Sequence, residues 1–214
     1  MQKDITKTFE FIKAKFEGEG TGHDWWHIYR VWQDSIKIGK RENADLFVVE
    51  MAALLHDLED YKFHENKIGE KMVRKWLNQL KLDKNLTKKI VEVIEGVSFK
   101  GAQQKDRFRT IESKVVADAD RLDAMGAIGI ARAFAYGGSV GRPLFDQKIK
   151  PILHKDFEHY KKYGNSSTIN HFYEKLFLLK DRMNTTMGQK IAKSRHKFME
   201  DYLTRFYDEW NGRA

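Results

Sequence analysis

The sequence predicts an all-α fold, a helical bundle interrupted by one irregular segment. Three observations predict this class. Apolar residues recur three and four positions apart along most of the 214 residues, which is the period of an amphipathic helix. No stretch alternates apolar and polar residues between hairpin turns, so strands are not needed. The chain contains only two prolines, Pro143 and Pro151, and helices can therefore continue almost everywhere else.

The apolar period marks five helices in the first half of the chain. The spacing of Phe9, Ile12 and Phe16 is typical of one amphipathic face. Residues 44–57 are so rich in apolar side chains that we expect them to form a central, nearly fully buried helix. The predicted helices of this half cover residues 3–17, 24–41, 44–57, 67–80 and 86–98.

The second half has a long apolar stretch, an irregular segment and two further helices. Residues 111–135 fit a helix. A second helix is marked by an apolar face that includes Ile169 and Leu179, and a long final helix runs from about Met187 to Trp210. Residues 137–167 differ, because they contain both prolines, several glycines and no clean period. We interpret this segment as an insertion or lid between core helices.

Composition sets broad limits on the class of protein. Hydrophobic residues make up 41% and aromatic residues 13% of the chain, which is typical of a globular domain, and the length favours one domain over residues 1–214. The absence of cysteine excludes disulfides, thiolate nucleophiles and cysteine zinc sites. No segment reaches the roughly 20 apolar residues needed to cross a bilayer, and we expect a cytoplasmic protein without membrane partners.

The chain is basic, with a formal net charge of +8. This charge suggests an anionic partner such as a nucleotide, a nucleic acid or a membrane surface. The alternative is that the basic residues only solvate the outer faces of helices, because charge alone does not say where they lie.

A histidine and an aspartate close the most apolar predicted helix. His56 and Asp57 follow the run MAALL, where a charged pair is costly unless something compensates it. A metal ion beyond the helix end would do so, since neighbouring helical side chains about 100° apart can both turn toward it. The alternative is a partly exposed helix terminus with ordinary hydrogen bonds.

Two more elements carry polar groups in apolar surroundings. His27 lies in a helix among Trp25, Trp26 and Tyr29. Further along, three aspartates interrupt a stretch of core character, which requires a cation, a hydrogen-bond network or both. Helix capping or a salt bridge to Arg121 or Arg132 is the alternative explanation for these acids, which are Asp118, Asp120 and Asp123.

These positions resemble the H…HD…D pattern of the HD-domain metal-dependent phosphohydrolase superfamily. Four blocks are similar to its bacterial YpgQ/YedJ-like branch, and together they cover the chain from about Gly22 to Gly212. The resemblance implies an all-helical fold and hydrolysis of phosphate esters or anhydrides. For this branch it implies nucleotide pyrophosphohydrolysis, which yields a nucleoside monophosphate and pyrophosphate. The blocks are GHDWWHIYRV, MAALLHDLEDYKF, VADADRLDAMGAIGIARAFAYGG and RHKFMEDYLTRFYDEWNG.

The resemblance also implies one divalent metal ion held by four residues, His27, His56, Asp57 and Asp120. Asp120 is the expected fourth ligand because it stands before Arg121 in the DADR block, where the superfamily places it. Asp118 remains a competitor. Two imidazoles and two carboxylates suit manganese, iron, cobalt, nickel or zinc better than magnesium alone, and manganese is the first choice. Such an ion would lower the pKa of a bound water and polarise a phosphoryl group.

Residues around the four expected ligands then have expected roles. Asp60 lies where related enzymes have an acid that acts on the attacking water or the leaving group. Glu59 is adjacent and could take its place. Asp123 is a candidate to orient a ligand or to contact a sugar hydroxyl. The candidates to neutralise phosphate oxygens of the substrate are Arg30, Lys62, Lys100 and Arg121.

Other functions compatible with the sequence are kept as alternatives. The enzyme could be a nucleotide monophosphatase or an alarmone hydrolase, which product analysis would distinguish. The chain could also be a non-catalytic nucleotide or metal sensor. A nucleic-acid-binding module ranks last, because the basic residues are dispersed and no recognised motif for nucleic acid occurs.

Overall fold

A computed structural model of the protein describes residues 1–18, 24–59, 68–97, 108–152 and 166–213. The secondary structure of these residues is helical, without a strand, which confirms the predicted all-α class. Within the same residues, no helix combines the length and the apolar character that a membrane span would need.

The described residues form two compact units. The first contains the residues up to Val97 and from Phe108 to Asp120, and the second begins at Arg121. The division falls inside one continuous helix, Ile111–Asp123.

Helix α3, Leu46–Leu55, is the centre of the first unit. It packs against α1 (Gln2–Phe16), α2 (Trp25–Arg41) and α5 (Lys84–Val97). Eight of its ten residues are buried, which confirms the expected central helix. Gly39 lets α2 approach α3, because a Cβ there would lie 3.1 Å from the Leu46 side chain. The unit also contains α4 (Ile68–Gln79) and α6 (Ile111–Asp123) up to Asp120.

The second unit is organised along its last and longest helix, α9, Thr186–Trp210. This helix packs against α7 (Gly126–Ser139) and against a 3₁₀ segment at Leu176–Arg182. A short helix, α8 (Thr168–Glu174), contacts α7. Aromatic rings fill much of this unit, and Phe172 lies 6.1 Å from Tyr202 in a stacked arrangement.

Three predicted helices differ from the observed ones. The helix predicted at 44–57 is capped by Asp45 and ends at Leu55, and the chain tightens into a 3₁₀ turn at His56–Glu59, a common way for a helix to end. The helix predicted from Ile169 to Leu179 breaks at Lys175, whose ψ of −55° is accompanied by a non-helical φ of −142°.

The third difference is that the helix predicted at 111–135 is two helices. The break follows Asp123, and Gly126 has φ +68°, a left-handed conformation that glycine adopts without strain. The Arg195 side chain lies over Gly126, where a Cβ would be 3.0 Å from its Cγ. The apolar pattern continues across the break, which is why the sequence does not reveal it.

The irregular segment is shorter than predicted at its start. Helix α7 continues to Ser139, so three residues of the segment predicted at 137–167 are helical. Residues 140–152 contain no helix or strand, as expected. Residues 153–165 lie outside the described part of the chain.

Candidate metal centre

The first turn of α2 places His27. The carboxylate of Asp24 caps this helix and accepts a hydrogen bond from the backbone N–H of His27 at 2.8 Å. The neighbouring Trp25 is buried and meets the Phe9 ring edge-on, with 4.6 Å between ring centroids. Because both anchors act on the same turn, the His27 side chain is held in the interior, where the residue is 1% exposed.

The end of α3 places His56. Its Nδ1 lies 2.8 Å from the carbonyl oxygen of Ala53, one turn earlier in the helix. A carbonyl oxygen can only accept a hydrogen bond, so Nδ1 carries the proton and donates it. The lone pair is therefore on Nε2, and this tautomer offers Nε2 to a metal ion.

Asp57 follows directly in the 3₁₀ turn and is also buried. Its two carboxylate oxygens face different imidazoles. Oδ1 lies 3.4 Å from Nε2 of His56, and Oδ2 lies 3.4 Å from Nε2 of His27. The ligand atoms of these three residues all lie within 4.8 Å of one another, so together they could hold a metal ion.

Helix α6 adds Asp120 to this group. Oδ1 of Asp120 lies 3.5 Å from Nε2 of His27 and 3.9 Å from Nε2 of His56. Asp118 is two positions earlier, which is about 200° around a helix, so the two aspartates project from nearly opposite sides of α6. Asp118 is 0% exposed, whereas the Asp120 side chain is 32% exposed. The structure therefore brings Asp120 to the two histidines.

The distances among these four side chains fit a shared ion better than direct hydrogen bonds. Ligand atoms that lie about 2.1 Å from one octahedral ion are about 3.0 Å apart when they are adjacent and about 4.2 Å apart when they are opposite. The nitrogen–oxygen distances of 3.4–3.9 Å lie between these values. They exceed the 2.7–3.2 Å typical of N–H···O hydrogen bonds. Two nitrogen and two oxygen donors also match the preference of divalent transition metals.

The other predicted site residues are only partly described. Arg30 lies one turn after His27 in α2 and is half-buried. Glu59 closes the 3₁₀ turn, but its side chain lies outside the described part of the chain, as do Asp60, Lys62 and Lys100. Their roles stay predictions.

Arg121 and Asp123 belong to the second unit. Arg121 donates a hydrogen bond from Nη1 to the carbonyl oxygen of Arg182 at 2.7 Å. Asp123 is buried and accepts one from Arg132 at 2.6 Å, which is the salt bridge considered above as the alternative explanation. Their contacts with a substrate also stay predictions.

Sequence reasoning missed two groups that hold the histidines in place. Asp24 was included in the predicted helix, although an aspartate directly before an apolar helical run is a typical N-cap. The carbonyl of Ala53 gives no signal in the sequence, because a backbone acceptor has no residue preference.

A polar pair also links α2, which carries His27, to α3, which ends directly before His56. Trp32 on α2 donates a hydrogen bond from Nε1 to the Glu50 carboxylate on α3 at 3.0 Å. Burial raises the pKa of the Glu50 carboxyl above its usual value, and the Trp32 hydrogen bond and the Lys40 charge oppose that rise. The pair therefore connects α2 to α3 at some cost in desolvation.

The chain matches a known protein family over the region that contains all four converging residues. The model of the family described as HD domain matches residues 25–125. Bacillus subtilis YpgQ is 36% identical over 196 residues, which are 90% of this chain and 87% of that protein.

Solved structures of similar chains agree with this match. A Bacillus thuringiensis HD-superfamily hydrolase has a TM-score of 0.80 and 41% identity, with 98% of both chains covered. The structure of Bacillus subtilis YpgQ in complex with ADP has a TM-score of 0.77 and 36% identity, covering 98% of this chain and 100% of that one.

Proposed function

This chain belongs to the HD domain family of metal-dependent phosphohydrolases, and we propose that it is a nucleotide pyrophosphohydrolase. It would convert nucleoside and deoxynucleoside triphosphates to a monophosphate and pyrophosphate. The observation that carries the proposal is the approach of two carboxylates, Asp57 and Asp120, to the Nε2 atoms of both histidines within 3.4–3.9 Å.

The four residues that would hold the metal ion are His27, His56, Asp57 and Asp120. We propose manganese as the ion, with nickel, cobalt, iron or zinc as the other fitting choices. A bound divalent ion supplies positive charge next to the phosphoryl group and lowers the pKa of a bound water. The protein fixes the tautomer of His56 through the carbonyl of Ala53 and holds His27 in a helical turn that is capped by Asp24.

Two observations support a nucleotide as substrate. The related YpgQ has been solved with ADP, and the net charge of +8 favours anionic molecules. Arg30 follows His27 by one turn of the same helix, where its guanidinium could pair with phosphate oxygens in a bidentate manner. Lys62, Lys100 and Arg121 are the further proposed cations, and Asp123 is proposed to contact the sugar.

The acids that follow His56 and Asp57 along the chain are proposed to transfer the proton. Asp60 would take the proton of the attacking water, and Glu59 is the alternative base. A positioned base of this kind accelerates a reaction by roughly 10²–10⁴-fold. The phosphoanhydride bond then breaks, and the pyrophosphate leaves as the other product.

The test is hydrolysis of a panel of nucleoside and deoxynucleoside triphosphates by manganese-loaded protein in ¹⁸O-labelled water. We expect monophosphate and pyrophosphate in equal amounts, with the label in the monophosphate, because the water attacks the α-phosphorus. The Asp57→Ala variant serves as the inactive control. An intact panel would overturn the proposal.

Other products would identify the alternatives. Release of orthophosphate and nucleoside from monophosphates would indicate a monophosphatase. Removal of pyrophosphate from a guanosine alarmone alone would indicate an alarmone hydrolase. Tight binding of metal and nucleotide without any turnover would indicate a sensor.

A further inference from the structure

Trp26 is an unusual side chain for its position. It is 60% exposed, whereas the adjacent Trp25 is 4% exposed. Among the described residues of the first unit, Met1 at the chain start is the only other large hydrophobic side chain that is exposed to a similar extent. An exposed indole loses the free energy that its burial would contribute, so a ligand that covers it would gain that contribution.

The ring of Trp26 is supported from one side. It meets Tyr29 edge-to-face, with 5.9 Å between ring centroids. Tyr29 in turn lies 6.0 Å from both Trp25 and Trp32, within the aromatic cluster that anchors α2. The contact with Tyr29 leaves Trp26 60% exposed, so the indole presents an aromatic surface next to this cluster.

This surface is on the same helical turn as His27. Trp26 directly precedes His27, so their side chains project about 100° apart around α2. Arg30 is four positions after Trp26 and three after His27, which places it within about 60° of each around the helix axis. An aromatic ring, a cation and the His27 imidazole of the candidate metal centre therefore lie within an arc of about 100° on the first two turns of α2.

We propose that Trp26 stacks on the base of the bound nucleotide. The inference rests on the proposed function, since it assigns a binding role within the same site. Stacking uses the π-face that every base has, so Trp26 would favour nucleotides over base-free phosphates with little discrimination among bases. The one modest preference that we expect is for purines over pyrimidines, because the larger rings cover more of the indole.

The test compares the binding of two ligands to manganese-loaded protein by titration calorimetry. ADP carries a base, and inorganic pyrophosphate does not. We expect Trp26→Leu to raise the Kd of ADP about tenfold, within the range measured for loss of one base-stacking aromatic, and to leave the Kd of pyrophosphate unchanged. Trp26→Phe retains an aromatic face and should stay within about threefold of the wild type.

Trp210 offers a matched control. It is also an exposed indole on a helix, at 45% exposure, and Trp210→Leu should leave the Kd of ADP unchanged. Equal ADP affinity in Trp26→Leu and wild type would overturn the inference, as would equal weakening of ADP and pyrophosphate or absence of ADP binding by the wild type. Failure of the wild type to hydrolyse any triphosphate would overturn the proposed function. The ADP affinities of Trp26→Leu and wild type could still be compared in that case.

Discussion

Nδ1 of His56 lies 2.8 Å from the carbonyl oxygen of Ala53, and this contact determines which ring nitrogen is available to a metal ion. The backbone acceptor fixes the proton on Nδ1, so Nε2 presents its lone pair toward the carboxylates of Asp57 and Asp120. Metal-binding histidines in proteins usually donate their second ring N–H in this way, which also fixes the ring orientation.

The first prediction concerns Asp57, whose two oxygens face both imidazoles. Asp57→Ala removes that carboxylate, and we expect the purified protein to lose its metal and its hydrolase activity. Circular dichroism should show near-normal helical content, because α3 ends before this residue. Elemental analysis provides the metal measurement. Full metal content together with full activity in this variant would show that the ligand assignment is wrong.

The second prediction separates the two candidate aspartates on α6. Asp120→Asn should weaken Mn²⁺ binding by roughly 10-fold or more, since a charged ligand near both histidines is replaced by an amide. Asp118→Asn should instead lower the melting temperature, because Asp118 is completely buried, and the folded protein should still bind Mn²⁺. The reverse pattern of Mn²⁺ affinities would make Asp118 the ligand.

The third prediction concerns the cap of α2. Loss of the Asp24 cap in Asp24→Ala should destabilise the first turn by about 1 kcal/mol and weaken Mn²⁺ binding, because that turn holds His27. Asp24→Ser retains a capping oxygen and should restore the affinity. Asp83 caps a helix too, accepting from the backbone N–H of Asn85 and of Leu86, and Asp83→Ala is the control. If both alanine variants changed Mn²⁺ affinity equally, the special role of Asp24 would be refuted.

The fourth prediction is a pH dependence at Glu50. The pKa of the Glu50 carboxyl is raised in the folded protein. As the pH rises above the pKa that Glu50 has in the unfolded chain, ionisation of Glu50 therefore lowers the stability of the fold. Glu50→Gln removes that charge and keeps an acceptor for Trp32. We expect a gain of about 0.5 kcal/mol or less near pH 7, because solvent screens this half-buried group. At about pH 3 the Glu50 carboxyl is protonated in both the folded and the unfolded state, and the gain should vanish. Urea unfolding at the two pH values measures it, and a gain that grew as the pH fell would contradict the assignment.

Helix positions follow from the sequence where packing and periodicity agree. The apolar run before His56 predicts the buried α3 because a helix without a polar face can only be interior. The break before Gly126 is not predictable in this way, since the residues on both sides are apolar and the turn depends on a backbone conformation. The same limit applies at Lys175, where the chain leaves the helix without proline or glycine.

The candidate site shows a similar division. Residue types and their unfavourable surroundings make His27, His56 and Asp57 candidates, because buried polar groups need compensation. Their common role as metal ligands is what the resemblance to the HD-domain family implies. The choice between Asp118 and Asp120 needs the rotation of α6 relative to the histidines, which depends on tertiary packing. The tautomer of His56 likewise depends on a backbone oxygen that leaves no trace in the sequence.

The most direct test of a shared metal ion is an anomalous difference map from crystals grown with Mn²⁺, with data collected at the manganese absorption edge. We predict one peak per chain at bonding distance, about 2.0–2.2 Å, from the imidazole nitrogens of His27 and His56 and from oxygens of Asp57 and Asp120. A peak bound elsewhere, or no peak among these four side chains at saturating Mn²⁺, would contradict the account.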